Sequence, residues 1–329
     1  MGPMPALSVL DLSNILEGHD AGEALSASLD LARHVEALGY TRFWMAEHHG
    51  MAGVASAATA VALAHVAAGT STIRVGAGGI MLPNHAPLVI AEQFGTLAAL
   101  HPGRIDLGLG RAPGSDIVVA QALRRTLTTD VNAFPRDVME LQAYFAGDAA
   151  AITAVPGAGE TVPLYILGSS LYGAQLAAAL GLPFAFASHF APGDLDEALA
   201  LYRRTFRASA QLAEPYAMAA FNVFAADSDE EAALLATSME QAFVALRTGR
   251  PGKFPPPVAD YRDTLPPPAR AMLDHVLQAS AIGGPQMVRR GLKAFLARTS
   301  ADELIISGAM FDRKARSGPT QSRWKLGLA

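Results

Sequence analysis

The chain has no cysteine. That absence excludes disulfides, thiolate nucleophiles, cysteine-ligated zinc and iron–sulfur clusters. Charge is also scarce: Asp, Glu, Lys and Arg make up 17% of the 329 residues, the net charge is −5, and no basic run occurs. A weakly acidic chain without such a run lacks the electrostatic footprint of a nucleic-acid binder. No apolar run reaches the roughly 18 residues that span a bilayer. Residues 1–12 have no basic start, and Asp11 interrupts their apolar stretch. A cytoplasmic protein with no membrane or nucleic-acid partner is expected. No internal repeat or low-complexity linker divides the chain, and Walker A, H-E-x-x-H and G-x-S-x-G patterns are missing.

Hydrophobic residues, by contrast, reach 51%, enough for a large core. Eight short apolar runs recur between helical patterns: 7–12 (LSVLDL), 42–46 (RFWMA), 73–82 (IRVGAGGIML), 104–110 (RIDLGLG), 163–167 (PLYIL), 184–188 (FAFAS), 218–225 (MAAFNVFA) and 303–307 (ELIIS). Most are continuously apolar, as strands covered on both faces of a parallel sheet are. Leu25, Leu29, Ala32, Val35 and Leu38 share one helical face, with Asp20 and Glu23 as a capping box. Ile90, Phe94, Leu97 and His101 share another, and residues 52–69 read as a buried helix. Gly39, Gly69, Gly103 and Gly181 fall where helices should stop. The pattern predicts an α/β fold, a (β/α)8 TIM-like barrel over residues 1–329 as one domain. The rival doubly wound sheet would have fewer strands and an early phosphate-binding turn. One composition shift, at 250–268, holds seven prolines and precedes the last helix and strand. Such an insertion is either a lid over the catalytic face or a solvated excursion.

Chemistry is expected at the C-terminal ends of barrel strands. Glu47-His48-His49 ends the second strand, and alternation lets only one histidine face the axis. His48 is assigned there, as a proton donor or acceptor. No set of metal ligands stands out, with His85, His101 and His189 as the histidines left to supply one; no metal is expected. Gly76-Ala77-Gly78-Gly79 interrupts the third strand, which marks either a bulge or the close approach of a flat ligand. In Gly108-Leu109-Gly110-Arg111-Ala112-Pro113-Gly114 the third glycine is one residue late for a dinucleotide fingerprint; the segment reads as a tight turn with Arg111 toward the pocket mouth. Gly168-Ser169-Ser170-Leu171-Tyr172-Gly173 precedes a helix at 174–180 and offers hydroxyls, free N–H groups and a dipole end, an arrangement that suits phosphate. An ordinary cap needs only one serine. Asp227, Asp229, Glu230 and Glu231 open a later helix, Gly283-Gly284-Pro285 begins the last, and Arg289, Arg290 and Lys293 read as solvated.

Taken as a series, LSVLDLSNI, RFWMAEHHG, VGAGGIMLPNHAPLVIAEQFGTLAALHPGRIDLGLGRAPG, LYILGSSLYGAQLAAALGLPFAFASHFAP, GGPQMVRRGLKAF and ADELII resemble the bacterial luciferase-like flavin-dependent monooxygenases nearly end to end. The resemblance implies a TIM-like barrel, a homodimer, and FMN at the C-terminal face of the strands. It implies that His48 lies beside the flavin and that Gly78 and Gly79 are joined by a cis peptide behind the isoalloxazine ring. Arg111 is implied to contact the FMN phosphate, with Ser169, Ser170, Tyr172 and Gly173 in the phosphate-binding turn. Ser169 stands where luciferase has an acidic residue, Gly110 where it has a cysteine and Ser188 where it has an aromatic, followed by His189 and Phe190; light emission is not expected. The turn Ser13-Asn14 lacks the proline expected second.

The activity implied is a two-component monooxygenase: reduced FMN from a separate flavin reductase, O2 and a small organic substrate. A deazaflavin-dependent dehydrogenase on the same barrel, a non-catalytic flavin-binding protein, and a metal-dependent hydrolase using His48 and His49 are the alternatives.

Overall fold

The computed structural model describes residues 5–111, 117–123, 133–149 and 151–317. Nine strands run through it: β1 Ala6–Asp11, β2 Arg42–Met45, β3 Arg74–Met81, β4 Ile105–Gly110, β5 Leu164–Gly168, β6 Phe184–Phe186, β7 Ala217–Ala225, β8 Ser280–Gly283 and β9 Glu303–Ser307. The helices are α1 Ala21–Ala37, α2 Thr59–Ala68, α3 Pro87–Leu100, α4 Ile117–Leu123, α5 Phe134–Ala146, α6 Leu171–Leu180, α7 Leu195–Thr205, α8 Asp229–Arg247, α9 Pro267–Val276, α10 Pro285–Thr299 and α11 Arg313–Ser317. All pairings between strands are parallel. They run from β1 through β7 in order, then β7 to β9 and β9 back to β1, closing an eight-stranded barrel.

All eight predicted strands are present, and β8 is additional. Asn222 of β7 pairs with Ser307 of β9 on one side and Ser280 of β8 on the other. β8 therefore extends the β6 edge of β7 upward, beyond where β6 ends. Its four residues, SAIG, were too short to register as a strand. α1 keeps its capping box, Asp20 accepting from the Glu23 N–H while Glu23 accepts from the Asp20 N–H. The expected buried helix at 52–69 is corrected: it starts at Thr59, and the outer face carries Val61, 72% exposed. The helix expected at 174–180 starts at Leu171, so Tyr172 and Gly173 lie in its first turn. Pro113 and Gly114 lie outside the described residues.

Alternation sorts each strand into two rows. Outward residues such as Phe43, Val75, Leu107, Phe184 and Phe221 join the helices in one large apolar shell. Inward residues stack in layers, as in other barrels of this kind. Leu10, Trp44, Tyr165, Ala185, Met218, Ala220 and Ile305 form the middle of the interior. Below them, at the N-terminal ends of the strands, lies a buried charged ring. Arg42 donates to Glu303 Oε1 at 3.0 Å and to Asp106 Oδ2 at 2.8 Å. Arg74 donates to Asp106 Oδ1 at 2.6 Å, Trp44 Nε1 to Asp106 at 3.2 Å and the Tyr216 hydroxyl to Glu303 at 2.7 Å, while Ser8 also donates to Glu303. Burial works against the Arg42 charge, but Asp106 and Glu303 outweigh it and hold the guanidinium firmly protonated.

Candidate active site

A cavity of about 900 Å³ opens at the other end of the barrel, where the strands finish. His48, Gly78, Gly79, Gly110, Arg111, Ser169, Ser170, Tyr172 and Gly173 all line it. The structure thus brings His48 and the residues expected at the cofactor to one space, whereas His49, His85 and His101 do not line it.

The floor is set by glycine. The Gly78–Gly79 peptide is cis, and the β3–β4 register shifts between Ala77 and Ile80. A Cβ on Gly78 would stand 2.9 Å from Leu10 Cδ1 and 3.0 Å from Trp44 Cβ; one on Gly79 would stand 2.6 Å from the Gly108 carbonyl oxygen. The sheet itself therefore demands these glycines, and their bare backbone leaves a flat surface facing the cavity. Gly110 differs: its nearest neighbour to a new Cβ is the Ile80 carbonyl at 3.7 Å, an ordinary contact.

His48 continues the inward row of Arg42, Trp44 and Ala46. Its Nδ1 is buried with no hydrogen-bond partner among the described residues. Burial lowers its pKa, with Glu47 opposing and His49 reinforcing the shift, so the ring is neutral at pH 7. Glu47 points elsewhere. Its Oε1 accepts from His49 Nε2 at 2.5 Å and His85 Nε2 at 2.7 Å, and its Oε2 from the Met81 N–H at 3.0 Å. Burial opposes the Glu47 charge, but His85, Met81 and His49 together hold its carboxyl below the usual range. The side chains of Glu47, His49 and His85 form the one group among the described residues whose ligand atoms could surround a cation, lying within 4.8 Å of one another. It contains His49 and His85 but not His48, unlike the pair weighed from the sequence.

At the far wall, β5 ends in Gly168 and α6 begins. Gly168 and Gly173 pack backbone to backbone: a Cβ on Gly173 would meet Phe184 at 3.2 Å and Gly168 Cα at 3.4 Å. Ser170 takes the N-cap position without a side-chain cap bond. Ser169, Ser170, Tyr172 and Gly173 line the cavity at this helix start beside Arg111, whose guanidinium carbon lies 4.0 Å from the Tyr172 ring centroid. A cradle without side chains, a helix N-terminus and an adjacent cation are what a phosphate needs.

The 250–268 segment is neither a detached excursion nor an independent lid. Phe254, 4% exposed, bonds to the turn after β1 in both directions: its N–H donates to Ile15 at 2.8 Å and its carbonyl accepts from Glu17 at 2.9 Å. Gly53 fits beneath it because a Cβ there would sit 2.1 Å from the Gly252 oxygen. Gln241 and Thr237 pin the same segment to α8 through Pro256 and Val258. Arg250, Phe254 and Tyr261, with Met239 and Phe243 of α8, wall the outer cavity.

Two lining residues went unassigned in the sequence. Asn222 is fully buried, and its Oδ1 has no partner among the described residues; neither has His189 Nδ1. The Asn222 amide donates to the His189 carbonyl at 2.8 Å and to Ser280 Oγ at 3.2 Å. Burial, with His48 adding to it, lowers the His189 pKa to about 4. The signal for Asn222 was visible as the only polar residue in MAAFNVFA.

Residues 6–303 match the family described as luciferase-like monooxygenase. The chain belongs to that family. A luciferase-like monooxygenase of Escherichia coli (strain K12) is 55% identical over 94% of this chain and 93% of its own. Among solved structures, apo-MsnO8 superposes with a TM-score of 0.88 at 32% identity over 99% of both chains. The oxygenating constituent of 3,6-diketocamphane monooxygenase from Pseudomonas putida, in complex with FMN, shares the fold with a TM-score of 0.73 at 15% identity, over 99% of this chain and 98% of its own. The family places the chain among the oxidoreductases, as a monooxygenase. No helix among the described residues is long and apolar enough to cross a membrane.

Proposed function

We propose that this chain is the oxygenase half of a two-component system: it takes reduced FMN from a separate reductase in the cytoplasm and uses O2 to oxygenate a small organic molecule. The observation that carries the reading is the meeting, in one cavity, of the Arg111–Tyr172 pair and the uncapped α6 N-terminus with the Gly78–Gly79 surface and His48. When bound, the reduced flavin supplies the electrons that activate oxygen.

The rest belongs to the protein. Arg111, Ser169, Ser170 and the first turn of α6 hold the phosphate, and the Gly168–Gly173 contact keeps that turn bare enough to admit it. Gly78 and Gly79 give the ring system a flat backing. His48, neutral at working pH, can pass or receive one proton at Nδ1. Leu10, Leu12, Ala46, Leu167 and Ala187 keep the chamber apolar and water-poor, which strengthens polar contacts inside it.

The test is a titration of the purified chain with oxidised and reduced FMN, followed by oxygen consumption with a supplied reductase and a screen of small organic molecules, amides and alcohols included. Saturable binding of FMN with substrate-dependent oxygen use is expected. Preference for a deazaflavin, with hydride transfer and no oxygen use, would move the chain to the dehydrogenase alternative; binding without turnover would make it a carrier.

The same reading includes a homodimer. The exposed face of α2 carries Val61, His65 and Ala68, and that of α3 Val89, Gln93, Thr96, Ala99 and Leu100, with no formal charge among them. Val61→Glu is expected to halve the mass found by analytical ultracentrifugation; an unchanged mass removes this face from the interface.

A further inference from the structure

We propose that Asn222 and His189, beside His48, recognise the substrate, and that the group they recognise is neutral and presents an N–H or O–H donor. The inference rests on reading the cavity as the place of oxygenation and adds the class of molecule it takes.

The orientation of Asn222 is fixed by chemistry. The His189 carbonyl can only accept, so the amide nitrogen must face it at 2.8 Å, and the second amide hydrogen goes to Ser280 Oγ at 3.2 Å. Oδ1 is left as a pure acceptor on a completely buried side chain lining the cavity, with no partner among the described residues. Buried polar atoms are almost always paired, so one aimed into a binding space points to a ligand atom of opposite character. His48 Nδ1 and His189 Nδ1 are orphaned in the same way. Burial keeps both rings uncharged at neutral pH, and His48 further opposes protonation of His189. The two histidines therefore offer a carboxylate no positive charge at this patch, and a ketone or ether offers Oδ1 only another lone pair. An amide N–H or an alcohol satisfies it.

Beyond the patch, Met239 and Phe243 of α8 and Phe254 of the 250–268 segment add apolar surface to the wall. A molecule with a small donor-bearing head and a hydrocarbon remainder matches both ends.

The probes are hexanamide, which carries N–H donors, and N,N-dimethylhexanamide, which carries none, measured by calorimetry on the flavin-free full chain. Hexanamide is expected to bind at least about tenfold more tightly, because a site built around a hydrogen bond rejects the analogue that lacks it. Asn222→Leu is expected to reduce the gap to within about twofold while FMN affinity changes less than twofold. Ser280→Ala removes one of the two groups that aim the amide, at a half-buried position, and keeps the test open where Asn222→Leu does not fold; it should narrow the gap several-fold. Equal binding of the two probes, binding of neither, or an unchanged gap in the folded variants overturns the proposal. So does a tenfold loss of FMN affinity in Asn222→Leu, which would make Oδ1 a flavin contact. Because the probes are read without flavin, a failure of FMN-dependent oxygen use is distinguishable from a failure of this recognition.

Discussion

Arg111 and Tyr172 stand face to face, the guanidinium carbon 4.0 Å from the ring centroid. The ring holds an exposed, long side chain in one place at the edge of the α6 N-terminus. A charge-assisted contact to phosphate is worth about 1.5–3 kcal/mol. Arg111→Ala is therefore expected to weaken FMN binding by about 10- to 100-fold, read from flavin fluorescence. Tyr172→Leu, which frees the arginine without removing it, should cost less. Equal affinity in wild type and Arg111→Ala would remove the arginine from the phosphate site.

The cavity glycines separate into two kinds. Gly79→Val drives a side chain into the Gly108 backbone, 2.6 Å from its carbonyl oxygen at Cβ alone. It is expected to lower the melting temperature strongly or to abolish folding. Gly110→Val meets nothing closer than 3.7 Å at Cβ. It should fold with nearly unchanged melting and instead reduce the cavity, shifting flavin affinity or substrate range. Similar melting temperatures for the two variants would contradict the assignment.

Glu303 answers Arg42 across β1, and both are almost wholly buried. Removing one partner leaves a buried charge without compensation, a loss of about 3–5 kcal/mol. Arg42→Met is expected to destabilise by that order in urea unfolding with little change in FMN affinity, since neither residue lines the cavity. Loss of flavin binding without loss of stability would contradict this division.

His189 sets a pH dependence. Its folded pKa, lowered to about 4 by burial and by His48, lies below the ordinary 6.5. Between those values the unfolded chain binds the extra proton, so stability falls as pH drops from 6.5 toward 4 and is flat above. His189→Leu removes this contribution. The melting temperature of wild type relative to the variant should therefore decline through that window, and a constant difference would show that the imidazole does not titrate as a buried neutral group.

The Glu47 cluster is expected to hold together without a cation. One carboxylate oxygen already holds both His49 and His85 at hydrogen-bond distances of 2.5 and 2.7 Å. Dialysis against a chelator is expected to leave FMN affinity and oxygen consumption unchanged; a loss restored by added zinc or manganese would reassign these residues as ligands.

The barrel was legible because its strands are buried on both faces and so read as apolar runs, and because a capping box at α1 and C-terminal glycines punctuate the helices. The cavity residues were legible where they clustered along the chain, as in 168–173 and 47–49. Others were hidden by distance. Asn222 meets His189 and Ser280 only through the lengthened β7 and the short β8, and Phe254 meets Ile15 only after the barrel has closed. The charged ring left a trace in Arg42, Asp106 and Glu303, each a charge in an apolar strand, but pairing them requires strand register, which spacing along the chain does not encode.

The ring at the foot of the barrel and the chamber at its head share eight strands but no side chain. What fastens the cylinder shut is thus separate from what meets small molecules. Loops and inward residues at the head can drift, exchange and be reshaped for new substrates without loosening the clasp beneath them. One architecture can in this way serve many chemistries, retailored from the top while its foundation stays put.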